Sequence, residues 1–477
     1  MNHHAPHIQL TAPQPRTPHL SDSLIPALNR APHLRDSSIA ALNRVPHSSR
    51  SHRDEWDIRA THEPLSSPNP ESRVPHLRDG SIVAKVGHRA SDPLSSPRRK
   101  FLLTLTILLT ATLPTQAQWD IQESHTTASL RGIANVGGGV AWASGTEGTV
   151  LRTEDGGYLW QTCATPPGAE KLDFRGIQAF DENTAIVMSS GKGDLSRLYK
   201  TTDGCHTWKL LFTNPDKEGF WDGLVADKAG GVVIGDPVDG RFAIFSSANN
   251  GHQRWFRFEH PERVPSLKIP TPHSKNEALF AASNSVLSGD PWSKILFVTG
   301  GADGSYLYGT KWHSWPLDYN FPTFVTEPIP LAKGTSSGAF SFASSVGCNP
   351  NKRGDCSFVV VGGDYQKPDL NAGTAAYAVI AMAGETPDRL RPSTTPPHGY
   401  RSAVAYDLKT KTWLTVGPNG TDISHDDGRN WSPLKPTAAE PQDADKNWNA
   451  LSLPFVVGPH GRIGKLRATS LSAPEKP

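Results

Sequence analysis

Between Leu130 and Ala468, apolar and polar residues alternate in short runs broken by Gly-rich turns, as in LRGIANVGGGVAWASGTEGTV (130–150). A period of two sends successive side chains to opposite faces of a strand, so each run predicts a half-buried β-strand and each break a hairpin. The runs group into sets. The first spans about Leu130 to Thr165, the second about Phe174 to Thr213 and the third about Phe220 to Glu259. Two weaker sets follow, ALFAASNSVLSG (278–289) with ILFVTGGADGSYLYGTKWHSW (295–315), and GAFSFASS (338–345) with FVVVGGDYQKPD (358–369) and AYAVIAMAG (376–384). The sixth, GYRSAVAYDLKTKTWLTVGPNGTDISHDDGRNW (399–431), is strong, whereas NWNALSLPFVVGPHGRIGKLRA (447–468) ends before its strands are complete.

A turn motif punctuates these sets. Ser424-x-Asp426-x-Gly428-x-x-Trp431 has the pattern of an Asp-box, in which Ser and Asp side chains bond nearby backbone N–H groups. Gly accepts a positive φ there, and Trp leaves the turn as an apolar anchor. Thr153, Asp155, Gly157 and Trp160 repeat the pattern in full. Thr201, Asp203 and Trp208 repeat it with Cys205 in place of Gly, and Ser247, Asn249 and Gly251 reach Trp255 one residue late. Asp203 lies 48 residues after Asp155, and Asn249 lies 46 after Asp203. A repeat of roughly 40–50 residues made of short strands predicts an all-β, single seven-bladed β-propeller of four-stranded antiparallel blades. QWDIQES (118–124) is expected to supply the outer strand that the last set lacks and so close the ring. Asp155, Asp203, Asn249 and Asp426 are assigned to structure, with Trp160, Trp208, Trp255 and Trp431 as their anchors.

Composition supports this reading, since 42 Gly and 41 Pro suit many short strands joined by turns. The formal charge of +2 conceals an uneven distribution: residues 118–477 carry 34 Lys and Arg against 37 Asp and Glu. A mildly acidic domain gives no general electrostatic case for nucleic acid.

Residues 1–97 contain a degenerate repeat with sparse apolar positions and many prolines, so a disordered low-complexity extension is expected. Ten of the nineteen histidines lie there, but they come with the repeat and lack ligand spacing, so no metal site is assigned. Arg98-Arg99-Lys100, the apolar run from Phe101 to Leu113 and a cut after Ala117 make residues 98–117 a signal peptide. A signal belongs at a chain start, which suggests initiation near residue 90. An N-terminal peptide of the native precursor beginning well before Leu94 would contradict that. Arg98-Arg99-x-Phe101-Leu102 resembles the twin-arginine export motif, so the Sec and twin-arginine routes both stay open, and a periplasmic or extracellular location is expected. The propeller is placed at 118–470, and 471–477 as a disordered tail. No membrane span is expected in the mature form, and a monomer is expected.

Export permits disulfides among the four cysteines. Cys348 and Cys356 flank NPNKRGD, a loop short enough to close, and adjacent blades bring Cys163 towards Cys205.

Aligning the first strands places Arg131, Arg175 and Arg401 at one equivalent position, with Asp222 in the third blade and Asn449 in the last. First strands line the channel of a propeller, so converging arginines would offer planar forks to a carboxylate or phosphate. The plainer alternative is that each Arg ties its blade to a neighbour through carboxylates such as Asp222. GDPVDG (235–240) reads as a turn bearing two carboxylates, without the ligand set of a calcium loop.

These boxes, together with GDPVDGRF (235–242), VGGDYQKPD (361–369), GYRSAVAY (399–406), VGPNGTD (416–422) and VGPHGRIGKL (457–466), resemble the BNR/Asp-box propellers of the photosystem II stability/assembly factor-like group. The resemblance covers about Trp119 to Leu466. It implies seven blades and a non-enzymatic role in assembling a membrane or envelope complex, with an arginine patch meeting a protein partner and no cofactor. Sialidase-like glycosidases share the box and are the competing reading. They resemble Phe/Tyr-Arg-Ile-Pro at their first arginine, where this chain has Leu130-Arg131-Gly132-Ile133, and they need a Tyr nucleophile with a Glu partner; no such pair is singled out here, and Tyr400 and Tyr406, near Arg401 in sequence, are read as core and interblade packing. No catalytic residue is assigned.

Overall fold

The computed structural model of the chain describes residues 118–228, 230–249, 253–257, 269–290, 294–311, 323–345, 356–380 and 389–471. The low-complexity extension, the signal peptide and most of the C-terminal tail lie outside them.

The described strands form seven antiparallel sheets, the blades of a propeller. Blade 1 is built from Leu130–Gly137, Val140–Gly145, Val150–Thr153 and Gln161–Thr162. Blade 2 runs Phe174–Ala179, Ala185–Ser189, Arg197–Thr201 and Lys209–Thr213. Blade 3 comprises Trp221–Ala226, Gly230–Val238, Arg241–Asn249 and Gln253–Arg257. The strands of blade 4 are Leu287–Asp290, Lys294–Val298, Ser305–Lys311 and Thr323–Ile329. Blade 5 contains Ser337–Ser344, Cys356–Asp364, Ala375–Ile380 and Arg391–Pro392, and its inner edge takes on the two-residue strands Gly300–Gly301 and Glu277–Ala278. Blade 6 consists of Ala403–Asp407, Thr412–Gly417, Gly420–Ser424 and Ser432–Pro433. Blade 7 has Ala450–Ser452, Phe455–Val457 and Ile463–Leu466, and Trp119–Gln122 is its fourth strand, in the register Trp119 to Leu466 through Gln122 to Ile463. The ring therefore closes through the strand that the incomplete last set lacked.

Adjacent blades are glued by apolar side chains, and the turn tryptophans are part of that glue. Trp160 meets Phe455 of blade 7 edge-on at 5.7 Å and donates its indole N–H to Gln122 Oε1 at 2.9 Å. Trp208 joins the cluster between blades 1 and 2, Trp255 that between blades 2 and 3, and Trp431 that between blades 5 and 6. Each tryptophan thus leans on the blade before its own.

The three complete Ser/Thr-x-Asp turns share one hydrogen-bond pattern. Thr153 Oγ1 donates to Asp155 Oδ1 at 2.8 Å and accepts the Gly157 N–H at 2.9 Å, while Asp155 Oδ1 accepts the Leu159 N–H at 3.0 Å. Thr201 and Asp203 bond the Cys205 and Thr207 N–H groups in the same way, as Ser424 and Asp426 bond those of Gly428 and Asn430. Hydrogen bonds hold the Asp155 and Asp203 carboxyls low, Asp203 at about 2, where two bonds from Thr207 act first. Residues 250–252 of the Asn249 turn lie outside the described set.

Cys205 sits at φ +66°, where the other two turns have Gly157 at +93° and Gly428 at +77°. That non-glycine residue is tied down by a disulfide to Cys163, with Cα atoms 5.3 Å apart. The bridge fastens the end of blade 1 to the turn of blade 2. Cys356 is also disulfide-bonded, while Cys348 lies outside the described residues.

Candidate functional site

The inner strands enter at the same end of the channel, and in blades 1, 2, 3 and 5 a residue near the start of the strand is placed by a β-bulge. In blade 1 Leu130 pairs with Gly145 and Gly132 with Ser144, so Arg131 is the extra residue and is pushed out of the ladder. Phe174 and Gly176 bracket Arg175 in the same way, Trp221 and Gly223 bracket Asp222, and Ala339 and Ser341 bracket Phe340. Gly132 is required by this packing: a Cβ there would lie 2.5 Å from Ser144 Oγ.

Arg401 does not join the arginines at the mouth. The backbone N–H of Leu130 bonds Gly458 O of blade 7, that of Trp448 bonds Gly417 O of blade 6, and that of Arg401 bonds Gly362 O of blade 5. Arg401 therefore occupies the position of Leu130, the buried one, and Ser402 that of Arg131. With 0% of its side chain exposed, Arg401 donates from Nε to Asp422 Oδ2 at 2.9 Å and makes a second bond from Nη2 to the same oxygen. Nη1 donates to Tyr400 O at 2.7 Å and Asn419 Oδ1 at 2.6 Å. His398 Nδ1 meets Asp422 Oδ1 at 2.8 Å. Burial would raise the Asp422 carboxyl, but the His398 hydrogen bond and the Arg401 charge outweigh it and hold it below the usual carboxylate range.

Asn449, one residue after Trp448, stands in blade 7 where Arg131 stands in blade 1, but it is occupied structurally, its Nδ2 donating to Leu130 O at 2.8 Å. Arg131 and Arg175 remain together. Both face Asp173, with Arg131 Nε 3.3 Å from Oδ1 and Arg175 Nε 2.8 Å from Oδ2, at 30% and 27% side-chain exposure. Arg175 Nη1 also donates to Ala281 O at 3.2 Å. Two guanidiniums sharing one carboxylate leave a positive charge in excess. Burial lowers the Arg131 guanidinium from its ordinary value; Asp173 pulls it back up while the Arg175 charge pushes it down.

Asp222 does not neutralise that charge. Its carboxyl is buried against the N–H groups of Asp236 and Ala281, and burial together with the Asp236 charge pushes it well above the usual range despite Arg175. Asp222 Oδ2 has no hydrogen-bond partner among the described residues. Asp236, the first carboxylate of the GDPVDG turn, is raised by burial to about 6, against a hydrogen bond from the Leu279 N–H at 3.0 Å.

Aromatic residues form the other side of the mouth. Phe340 stacks on Phe280 at 4.1 Å and meets Tyr400 edge-on at 4.8 Å. Tyr365 stands 6.1 Å from Phe340 and is 47% exposed. Burial and the nearby Tyr365 push the Tyr400 phenol up, and the Arg131 charge pulls it down. Asp173, Phe340 and Tyr365 were not singled out from the sequence, and Asp236 was read there as a turn carboxylate. Only Asp173, two residues before Arg175 in DFRGI, and the two acids of GDPVDG gave a local signal. Among the described residues no cluster of three or more His, Cys, Asp and Glu could hold a metal ion, and no helix is long and apolar enough to cross a membrane.

No protein-family model and no curated protein matches the chain. Among solved structures it is similar to YCF48 from Cyanidioschyzon merolae, at 17% identity over 74% of this chain and 100% of that one, with a TM-score of 0.47. It is also similar to YCF48 bound to D1 peptide, at 14% identity over 73% and 96% with a TM-score of 0.46. The GH74 xyloglucanase from Xanthomonas campestris is similar at 15% identity over 76% and 55%, with a TM-score of 0.45.

Proposed function

We propose that this chain is a non-catalytic propeller that binds a protein partner through the channel mouth bearing Arg131 and Arg175. The observation that supports this reading most is the sharing of Asp173 by the two arginines at a mouth that also carries the half-exposed Tyr365. Planar forks with one unit of charge to spare suit a carboxylate, and the exposed Tyr365 ring suits an apolar side chain next to it. The kind of partner, a membrane or envelope complex under assembly, is taken from the sequence strings that resemble the photosystem II assembly factor-like group. Export is part of the same reading, supported by residues 98–117 and by the Cys163–Cys205 disulfide, a bond of oxidising compartments. Sequencing the N-terminus of the mature protein from the native envelope should give Gln118.

The glycosidase reading has one observation in its favour, the raised carboxyl pair Asp222 and Asp236 beside the arginines. Against it, Tyr400 is pushed away from its anion and has no Glu in contact among the described residues, and the Tyr308 hydroxyl, which donates to Glu277 Oε1 at 2.8 Å, is likewise pushed away from its anion by burial and by the Glu277 charge. Affinity capture from the native envelope with the wild type and with a folded Arg131→Ala/Arg175→Ala variant separates the two readings. A protein retained by the wild type and lost by the variant supports partner binding. Retention of nothing, with cleavage of sugar-acid glycosides by the wild type alone, would replace that reading with the hydrolase.

A further inference from the structure

We propose that Asp222 and Asp236 make the channel mouth a proton-gated anion site, which grips an anionic group of its partner more tightly in mildly acidic than in neutral solution. The inference rests on the partner-binding reading of the mouth and adds its regulation. The bulge that presents Arg131 and Arg175 in blades 1 and 2 presents Asp222 in blade 3. The second strand of blade 3 departs from its neighbours too. Thr146, Ser190 and Asp236 are equivalent, since their backbone N–H groups donate at 3.0 Å to Ser129 O, Asp173 O and Phe220 O, each the residue just ahead of an inner strand. Of these three blades, only blade 3 has a carboxyl at both places, and the pair stands within reach of the Arg175 charge.

Burial and charge set the protonation of the pair. Asp222 is 2% exposed and its Oδ2 has no partner among the described residues, so an ionised carboxylate would be buried there with one oxygen lacking a donor. Arg175 is already engaged by Asp173 Oδ2 at 2.8 Å and by Ala281 O at 3.2 Å. Neighbouring carboxyls in such a place do not ionise together near neutrality. Asp222 keeps its proton, and the partly exposed Asp236 loses its own at about 6. Above that value Asp173 and Asp236 offset both arginines; below it one positive charge is left for a ligand. The other charged groups on the elements around the pair are Arg131, Asp239 and the exposed Arg241 at the end of the Asp236 hairpin, Glu277, whose Oε1 accepts the Thr299 and Tyr308 hydroxyls, and Asp290 at the far end of the first strand of blade 4. Residues 278–286 carry none. Protonation of His273, which stacks on Tyr306, or of His398 on Asp422 would give a step of the same sign, so the test removes Asp236 itself.

The probe is trifluoroacetate, a carboxylate that stays ionised throughout, titrated into the full-length protein at pH 5 and pH 8 and one ionic strength, with binding followed by fluorine NMR. The wild type should bind at least threefold more tightly at pH 5, and a folded Arg131→Ala/Arg175→Ala variant should lose the binding at both values. Asp236→Asn should bind at pH 8 within twofold of the wild type at pH 5 and show no step between them. Should that variant fail to fold, Asp236→Ser, which copies Ser190 of blade 2, gives the same reading. Linkage demands the converse effect in the unmodified protein: saturating trifluoroacetate should move the Asp236 carboxyl titration, read by carbon NMR, to higher pH. Binding that depends on the arginines but not on pH, a step that survives in Asp236→Asn, or an Asp236 titration indifferent to the anion would overturn the gate and leave the mouth's anion binding standing. Absence of any binding that depends on the two arginines would overturn the gate together with that reading of the mouth.

Discussion

Arg401 has no exposed surface and shares the Asp422 carboxylate with His398. Replacing it with Ala leaves a buried carboxylate with one half-buried imidazole for company, and breaking such a pair costs about 3–5 kcal/mol. Arg131, partly exposed against Asp173, has a solvated alternative, and Arg131→Ala should cost under about 1 kcal/mol. Urea unfolding of the two variants measures both. Asp236 works in the opposite sense. Its folded-state value of about 6 lies above the roughly 3.9 of an unfolded Asp, so the folded chain holds the extra proton and stability falls as pH rises across that interval. Asp236→Asn should flatten the fall, raising the melting temperature relative to wild type at pH 7–8 but not at pH 4. Only part of this residue chemistry was legible in the sequence. In blades 1 to 3 the bulged residue announces itself by the Gly that follows it, Gly132, Gly176 and Gly223, which lets the backbones close up. Tyr400-Arg401-Ser402-Ala403 has no such Gly, so nothing local reveals that its arginine stands one place early.

The turn elements were far easier to read, because a Ser/Thr-x-Asp turn is specified by contacts within seven or eight residues. Its hydrogen bonds recur with near-identical lengths at Asp155, Asp203 and Asp426. Cys205 is the exception in the Gly position, and its positive φ makes the cross-link testable as an element. Cys163→Ala/Cys205→Ala should lose about 2–4 kcal/mol, the usual contribution of a disulfide. Cys163→Ala/Cys205→Gly should recover part of that loss, since Gly is at ease at φ +66°. Comparing the two by thermal unfolding isolates the backbone contribution from the cross-link, and equal melting temperatures would mean that the conformation carries no cost. Less legible were Glu277–Ala278 and Gly300–Gly301, which join the inner edge of blade 5. Two residues have no period to read, and their pairing is set by what packs around them.

At the scale of the molecule, the alternation pattern together with the box spacing was enough to set the blade count and the closing strand, because seven similar sheets can bury their faces only against one another. What the spacing left open was which residues the channel mouth would gather, since Arg131, Asp236 and the pair Phe340 and Tyr365 come from three blades. Closure has its own anchor: Trp119 is buried and packs 5.8 Å from Trp448. Trp119→Ala should cost about 3–5 kcal/mol, like other large buried aromatics, and calorimetry should show a lower melting temperature with the single transition kept. The seam between Trp119–Gln122 and Ile463–Leu466 also sets a timetable. A ribosome has to make nearly the whole ring before the partner of the first strand exists, so the nascent chain waits as an open arc with that strand unclaimed. Contacts this distant in sequence are the slowest to form, and in refolding followed by pulsed hydrogen exchange the amides of these two strands should be the last to gain protection.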